Sequence, residues 1–183
     1  MRVVGLDLAG SPKNDTGFCL LADSGGKKAV ATRLLHSNEE IISELKASRP
    51  DLVAVDAPLV YHGQRRNCDE LLREYGALPV TLRGMETLAQ RGKALAAELD
   101  DYGFAYIEVY AQASAKILGV YHKDDFPMQK AVMGLDLQGE LNSRILSRDE
   151  LDAIVAAVTG YLHLLGQTRT VGDGSGMVVL PKV

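Results

Sequence analysis

The sequence predicts an α/β fold in which helices flank a mixed five-stranded sheet. Three short apolar runs separated by turn-forming residues, at positions 3–8, 18–22 and 29–35, indicate an antiparallel meander at the start of the chain. Two later apolar runs, at 52–55 and 104–109, each follow a helix-forming stretch and therefore indicate parallel strands.

The two best-marked helices begin with the same local sequence. Ser37 and Ser147 are each followed three residues later by glutamate, the pattern of a capping box, and apolar residues then recur at helical spacing. We therefore expect helices from Ser37 to about Ser48 and from Ser147 through Leu165. Further helices are predicted at 85–102, at 68–75 and, as short pieces, within 113–137.

Length and composition predict a single globular domain over residues 1–183. The chain is 46% hydrophobic and 24% charged, which is ordinary for a compact domain. Residues 57–83 read as a loop insertion after the fourth strand, and residues 167–183 as a C-terminal tail in which 177–180 could add an edge strand. The net charge of −4 argues against a protein that coats nucleic acid through bulk positive charge.

A cytoplasmic location is expected from what the sequence contains. Two cysteines, Cys19 and Cys68, do not make a disulfide framework. The first apolar run is interrupted by Asp7, unlike a signal peptide, and no run reaches the roughly 18 apolar residues of a membrane span. We therefore expect no membrane association.

The acidic residues fall at the positions where α/β proteins place their sites. Asp7, Asp56 and Glu108 stand at or near the ends of predicted strands, and Asp149 and Asp152 lie in the first turns of the last helix. Ligands of open α/β sheets bind outside the carboxyl ends of the strands. If the first and fourth strands are neighbours, Asp7 and Asp56 meet there side by side.

Carboxylates this close repel each other unless a cation lies between them. Mg²⁺ or Mn²⁺ would suit a site made of aspartates, because both prefer hard oxygen ligands. Two such ions roughly 4 Å apart could activate water and stabilise the leaving oxygen of a phosphodiester.

Each acid also has a structural interpretation. Asp149 would be stabilised by the helix dipole without any function. Asp56 could cap the following turn, and Glu108 could face solvent on an alternating strand. The joint placement of the acids favours a site over these separate explanations.

Five segments carry a further signal. They are 3–10 (Val-Val-Gly-Leu-Asp-Leu-Ala-Gly), 53–59 (Val-Ala-Val-Asp-Ala-Pro-Leu), 65–69 (Arg-Arg-Asn-Cys-Asp), 107–110 (Ile-Glu-Val-Tyr) and 149–157 (Asp-Glu-Leu-Asp-Ala-Ile-Val-Ala-Ala). Together they resemble the predicted RNase H-like nuclease family catalogued as domain of unknown function number 429, over nearly the whole chain. The last segment also resembles the final-helix motif of RuvC-type Holliday-junction resolvases.

The resemblance implies an RNase H-like fold and a metal-dependent nuclease. Residue by residue, it implies catalytic metal ligation by Asp7, Asp56, Asp152 and Asp149, and we expect Glu108 to act as an outer ligand or to orient water. It also implies hydrolysis that leaves a 3′-hydroxyl and a 5′-phosphate.

Basic residues near these acids could contact the phosphate backbone of a nucleic acid. The candidates are Lys13 in the first loop and Arg65, Arg66 and Arg73 after the fourth strand. A solvated surface without function is the alternative for these four residues.

Two other functions stay open at this point. Sugar kinases and actin-like ATPases share the RNase H-like core, so a nucleotide phosphohydrolase is one alternative, with the loop 10–17 cradling phosphate. A non-catalytic nucleic-acid-binding module is the other. The sequence does not decide between DNA, RNA and branched substrates, and cleavage of a junction would favour a homodimer.

Overall fold

The computed structural model describes residues 1–182 and consists of one large sheet with helices on both faces. The strands are Arg2–Asp7, Thr16–Ser24, Lys27–Leu35, Leu52–Asp56, Tyr106–Val109, Leu137–Gly139, Thr168–Asp173 and Gly176–Pro181, named β1 to β8. The α-helices are Asn38–Ser48, Asn67–Leu71, Arg83–Asp101, Ala111–Ile117, Asp125–Met133 and Arg148–Leu164, named α1 to α6.

The strand order is β6-β3-β2-β1-β4-β5-β8-β7. β1, β2 and β3 pair antiparallel, while β4 pairs parallel with both β1 and β5. The predicted α/β fold with an antiparallel meander followed by parallel strands is confirmed. The sheet has three strands more than the five predicted.

The additional strands come from segments with weak patterns. Residues 168–173 and 176–181 form the antiparallel β7 and β8, so the segment predicted as a tail belongs to the sheet. β8 lies between β5 and β7 rather than at the edge. β7 exposes two consecutive residues, Arg169 and Thr170, so its sequence lacks the alternation of polar and apolar residues that marks a strand. β6 is only three residues long.

Each face of the sheet has its own core. On one face, α1 and α3 cover β1, β2 and β4 through a cluster that includes Leu6, Phe18 and Leu95. On the other, α4, α5 and α6 cover β2 and β3 through a cluster that includes Leu21 and Ile154. Both capping boxes are present, at Ser37 with Glu40 and at Ser147 with Glu150.

α6 lies unusually close to the sheet. A Cβ atom on Gly5 of β1 would stand 2.0 Å from the carbonyl oxygen of Ala153, so only glycine fits at this crossing. The small residues that follow Asp152 therefore let the helix backbone rest directly on β1.

Among residues 1–182, no helix has the length and apolar composition needed to cross a membrane. Cys19 and Cys68 are both buried free thiols.

Candidate active site

Asp7 and Asp56 occupy the same register position on neighbouring parallel strands. Each is the last residue of its strand, β1 or β4, and the two are paired directly across the ladder. Both side chains are partly buried. The structure thus brings together the two strand-end aspartates that the sequence singles out.

Asp149 and Asp152 reach the same end of the sheet from α6. Gly17 of β2 is the antiparallel partner of Asp7, and a Cβ on Gly17 would stand 1.9 Å from the main-chain oxygen of Asp149. The first turn of α6 therefore lies over the end of β1. Because residues three apart share a face of a helix, Asp152 accompanies Asp149.

The four aspartates influence each other's ionisation. Burial raises the pKa of Asp7 well above its usual range, and the charges of Asp56, Asp152 and Asp149 raise it further. Burial, followed by the charge of Asp152, raises the pKa of Asp56 to about 8, although a hydrogen bond from the Ala111 amide opposes the shift. These are the effects expected of carboxylates that share one poorly solvated region.

The pKa values of the helix aspartates are also raised. Burial raises the pKa of Asp152 to about 6, with Arg148 acting in the opposite direction. The pKa of Asp149 is raised as well, by burial and then by the charge of Asp15.

Arg148 is a basic residue whose positive charge acts on this acidic cluster. Its charge lowers the pKa of both Asp7 and Asp152. Its guanidinium donates hydrogen bonds to Asp125 Oδ1 at 2.9 Å and to the carbonyl oxygen of Lys123 at 2.7 Å. Arg148 thereby ties the start of α6 to the loop before α5.

The carboxylate donors are of the kind that a divalent ion prefers, but the described residues could supply only part of its ligands. Among residues 1–182, no three His, Cys, Asp or Glu side chains converge tightly enough to hold a metal ion by themselves. Mg²⁺ is usually bound by one or two protein carboxylates, with substrate phosphates and waters completing its shell. Adjacent Asp7 and Asp56, with Asp149 and Asp152 nearby, match that incomplete arrangement.

Glu108 does not have the free carboxylate expected of an outer ligand. It is 7% exposed, and its oxygens accept hydrogen bonds from the Leu59 amide at 2.8 Å and from Arg66. Burial raises its pKa to about 7, while Arg66 lowers it. The side chain anchors the segment after β4 instead.

Arg66, expected to contact phosphate, is buried in the same ion-pair network. It is 4% exposed and binds both oxygens of Asp69, at 2.6 and 3.2 Å, with Glu108 at 2.8 Å on the other side. Burial opposes its charge, but these carboxylates outweigh that effect and raise its pKa. The two acids compensate the charge of Arg66, so the predicted role as a surface phosphate contact does not fit this placement.

The other three basic candidates are exposed. Lys13 is in the loop that follows β1, near the end of the sheet that carries Asp7. Arg65 and Arg73 line one pocket together with Asp69 and Glu70, and Arg65 is 3.5 Å from Glu70.

A cavity of about 310 Å³ opens beside the two strand-end aspartates. Asp7 and Asp56 line one part of it, and the Arg66 ion-pair network lines another. Tyr110 also lines it, and burial together with the charge of Asp56 raises the pKa of this tyrosine to about 12.

Sequence reasoning missed Arg148, Asp69 and Gln112 as parts of this region. Arg66 and Asp69 are three residues apart at the start of a short helix, a spacing that could have suggested their pairing. Arg148 directly precedes Asp149 and lies four residues before Asp152. This spacing could have indicated that Arg148 lies close to the two predicted ligands on the helix. Nothing local marks Gln112.

The antiparallel meander, the parallel strands beside it and the long helix packed across β1 make this an RNase H-like fold. The chain is similar in structure to Thermus thermophilus RuvC, with a TM-score of 0.55 and 15% identity over 91% of this chain and 97% of that one. A second structure, T. thermophilus RuvC in complex with a Holliday junction substrate, gives a TM-score of 0.56 and 17% identity over 91% and 96% of the two chains. No protein-family model and no curated protein matches the sequence.

Proposed function

We propose that this protein is a metal-dependent nuclease that hydrolyses phosphodiester bonds of nucleic acid. The observation that carries the proposal is the direct pairing of Asp7 with Asp56 at the carboxyl end of β1 and β4, with α6 adding Asp149 and Asp152. The structural likeness to RuvC supports the proposal. Membership of domain-of-unknown-function family 429 is part of the proposal.

In this proposal Asp7, Asp56, Asp149 and Asp152 would each contribute to holding Mg²⁺ or Mn²⁺. The ion would supply Lewis-acid activation of the phosphodiester and would offset the negative charge of the carboxylates. Hydrolysis adds water across the phosphodiester and leaves a 3′-hydroxyl and a 5′-phosphate, as the family resemblance implies.

The chain's own contribution is to fix these acids in place. The hydrogen-bonded pairing of β1 and β4 sets the separation of Asp7 and Asp56. The close packing of α6 on Gly5 and Gly17 sets the distance of Asp149 from the face of the sheet. Arg148 offsets part of the negative charge, which limits the repulsion before any ion binds.

A panel of end-labelled substrates tests the proposal. Single-stranded DNA, duplex DNA, an RNA–DNA hybrid and a four-way junction are incubated with Mg²⁺, with Mn²⁺ or with chelator. We expect cleavage of at least one substrate in the metal lanes and none with chelator. Cleavage of the junction would call for a second copy of the chain, which sedimentation would detect.

Asp7→Asn is the informative variant, and Asp101→Asn is its matched control. Asp101 is an exposed residue at the end of α3, which leads into the opposite end of the sheet. Loss of cleavage in both variants, or in neither, contradicts the site. Turnover of nucleotides with every substrate uncut would favour the nucleotide phosphohydrolase, and metal-independent binding without any turnover would favour a binding module.

A further inference from the structure

The cavity beside Asp7 and Asp56 is larger than a metal site requires. Its volume of about 310 Å³ lies at the lower end of the roughly 300–1,000 Å³ typical of small-molecule pockets. Because α3, the 57–82 segment and β8 all contribute to it, it is a structural feature of the folded chain.

The walls of the cavity are mainly apolar. Leu72, Leu78, Met85, Leu88 and Val178 line it. Such walls suit a flat, uncharged ring system and offer nothing to an anion. The polar groups of the lining are the two strand-end aspartates, the Arg66 ion-pair network, Tyr110 and Gln112.

Those polar groups accept hydrogen bonds more than they donate them. Asp69 and Glu108 flank the single guanidinium of Arg66. Asp69 Oδ2 and Glu108 Oε1 each contact only Arg66, so each keeps a lone pair that can accept a further hydrogen bond. Gln112 donates its amide hydrogen to the Tyr75 carbonyl oxygen at 2.6 Å, and this bond fixes the amide in the cavity lining.

The lining discriminates between the parts of a nucleotide. The ring N–H and amino groups of a base can donate hydrogen bonds to these carboxyl oxygens, whereas a phosphodiester group has no donor to offer. The base is therefore the part of a nucleotide that fits this cavity.

Building on the proposed function, we propose that this cavity receives the base of an unpaired nucleotide next to the scissile phosphate. A base inside a continuous duplex is stacked and cannot enter, so the site selects strands that carry a bulged, mismatched or otherwise extruded nucleotide.

Binding in chelator tests the base site separately from cleavage. Fluorescence anisotropy compares three labelled duplexes that are identical except at one position, which is fully paired, carries a bulged base or carries a bulged abasic residue. We expect the bulged base to bind roughly tenfold tighter than the abasic residue. 2-Aminopurine at the bulge should also change its emission when the protein binds.

Variants of the cavity lining test the assignment. Ala77→Phe fills the cavity and should abolish the preference for the base over the abasic residue. Leu78→Trp narrows the cavity from an exposed position. This variant replaces Ala77→Phe in the binding experiment if Ala77→Phe has a lowered melting temperature. Leu71→Phe is the matched control, since Leu71 and Leu78 are both 53% exposed and only Leu78 lines the cavity.

Equal affinity for the base and the abasic residue overturns the proposal. Binding of a free nucleoside 5′-monophosphate with the same affinity as the bulged duplex would also overturn the proposal, because the rest of the strand would then add nothing to the affinity. A base preference without cleavage would support the cavity assignment while contradicting the proposed nuclease, so the two failures are distinguishable.

Discussion

The main-chain oxygen of Asp149 lies above Gly17 with no room for a side chain between them. A Cβ on Gly17 would stand 1.9 Å from that oxygen. Gly17 is also the cross-strand partner of Asp7. The contact therefore fixes the distance between the start of α6 and the strand that carries the first candidate metal ligand.

Gly17→Ala should destabilise the protein because α6 must move away from β2. Overpacking of this kind costs about 1–3 kcal/mol, and urea unfolding measures it. Cleavage should fall as well, since Asp149 and Asp152 move with the helix. Gly84→Ala is the control, because a Cβ at this helical glycine meets nothing within 4 Å, and it should stabilise slightly. Equal stability of the two variants would contradict the close packing.

Asp56→Asn should remove activity without harming the fold. We expect cleavage to fall at least about 100-fold, since the variant loses a candidate ligand. In chelator the melting temperature should stay level or rise at neutral pH, because a neutral amide replaces a carboxyl that is poorly solvated and close to Asp152. A parallel fall in both quantities would instead indicate a structural role for Asp56.

The metal-free protein should lose stability as the pH rises. The pKa values of Asp152, Glu108 and Asp56 are raised to about 6, 7 and 8, so the folded state binds protons that the unfolded state has already released. The free energy of unfolding should therefore fall from about pH 5 to about pH 9. Chemical denaturation in chelator across this range measures the slope.

Addition of Mg²⁺ at the alkaline end of that range should restore part of the lost stability, because the ion binds the folded carboxylates. Asp56→Asn should flatten the pH dependence. A stability that rises between pH 6 and 9 in chelator would contradict the raised pKa values.

Arg66→Met should be strongly destabilising. It leaves Asp69 and Glu108 buried without their cation, and breaking a buried pair in this way costs about 3–5 kcal/mol. Arg65→Met provides the comparison, since its side chain is 71% exposed and its ion pair with Glu70 should be worth less than about 1 kcal/mol. An Arg66→Met protein of native stability that no longer binds nucleic acid would return Arg66 to the role of substrate contact.

The strand-end aspartates could be predicted because their signal is local. A buried apolar run that ends on an acid fixes both the strand and the edge at which the acid lies, so the pairing of Asp7 with Asp56 required only that β1 and β4 be neighbours. The capping boxes at Ser37 and Ser147 are local in the same sense.

The roles of Arg66 and Glu108 could not be predicted in this way. Arg66 lies in a segment that reads as a surface loop, and Glu108 lies on a strand from which it could face solvent. Their burial results from the packing of the 57–82 segment against β8 and α4 and from its hydrogen bond to Glu108. The strands β6 and β7 were missed for a related reason. The partner of β6 is β3, which is more than 100 residues earlier in the sequence. β7 pairs with the adjacent β8, but it has no strong apolar alternation of its own.

The four aspartates lie on three separate elements, β1, β4 and α6, and this arrangement has a consequence for how the site forms during synthesis. Asp7 and Asp152 stand near opposite ends of the sequence, and β1 must be covered by α6 before their carboxylates come together. Contacts this distant in the chain form late in folding. A nascent or partly folded polypeptide would therefore lack the assembled cluster of four aspartates, which would exist only in chains that have folded completely.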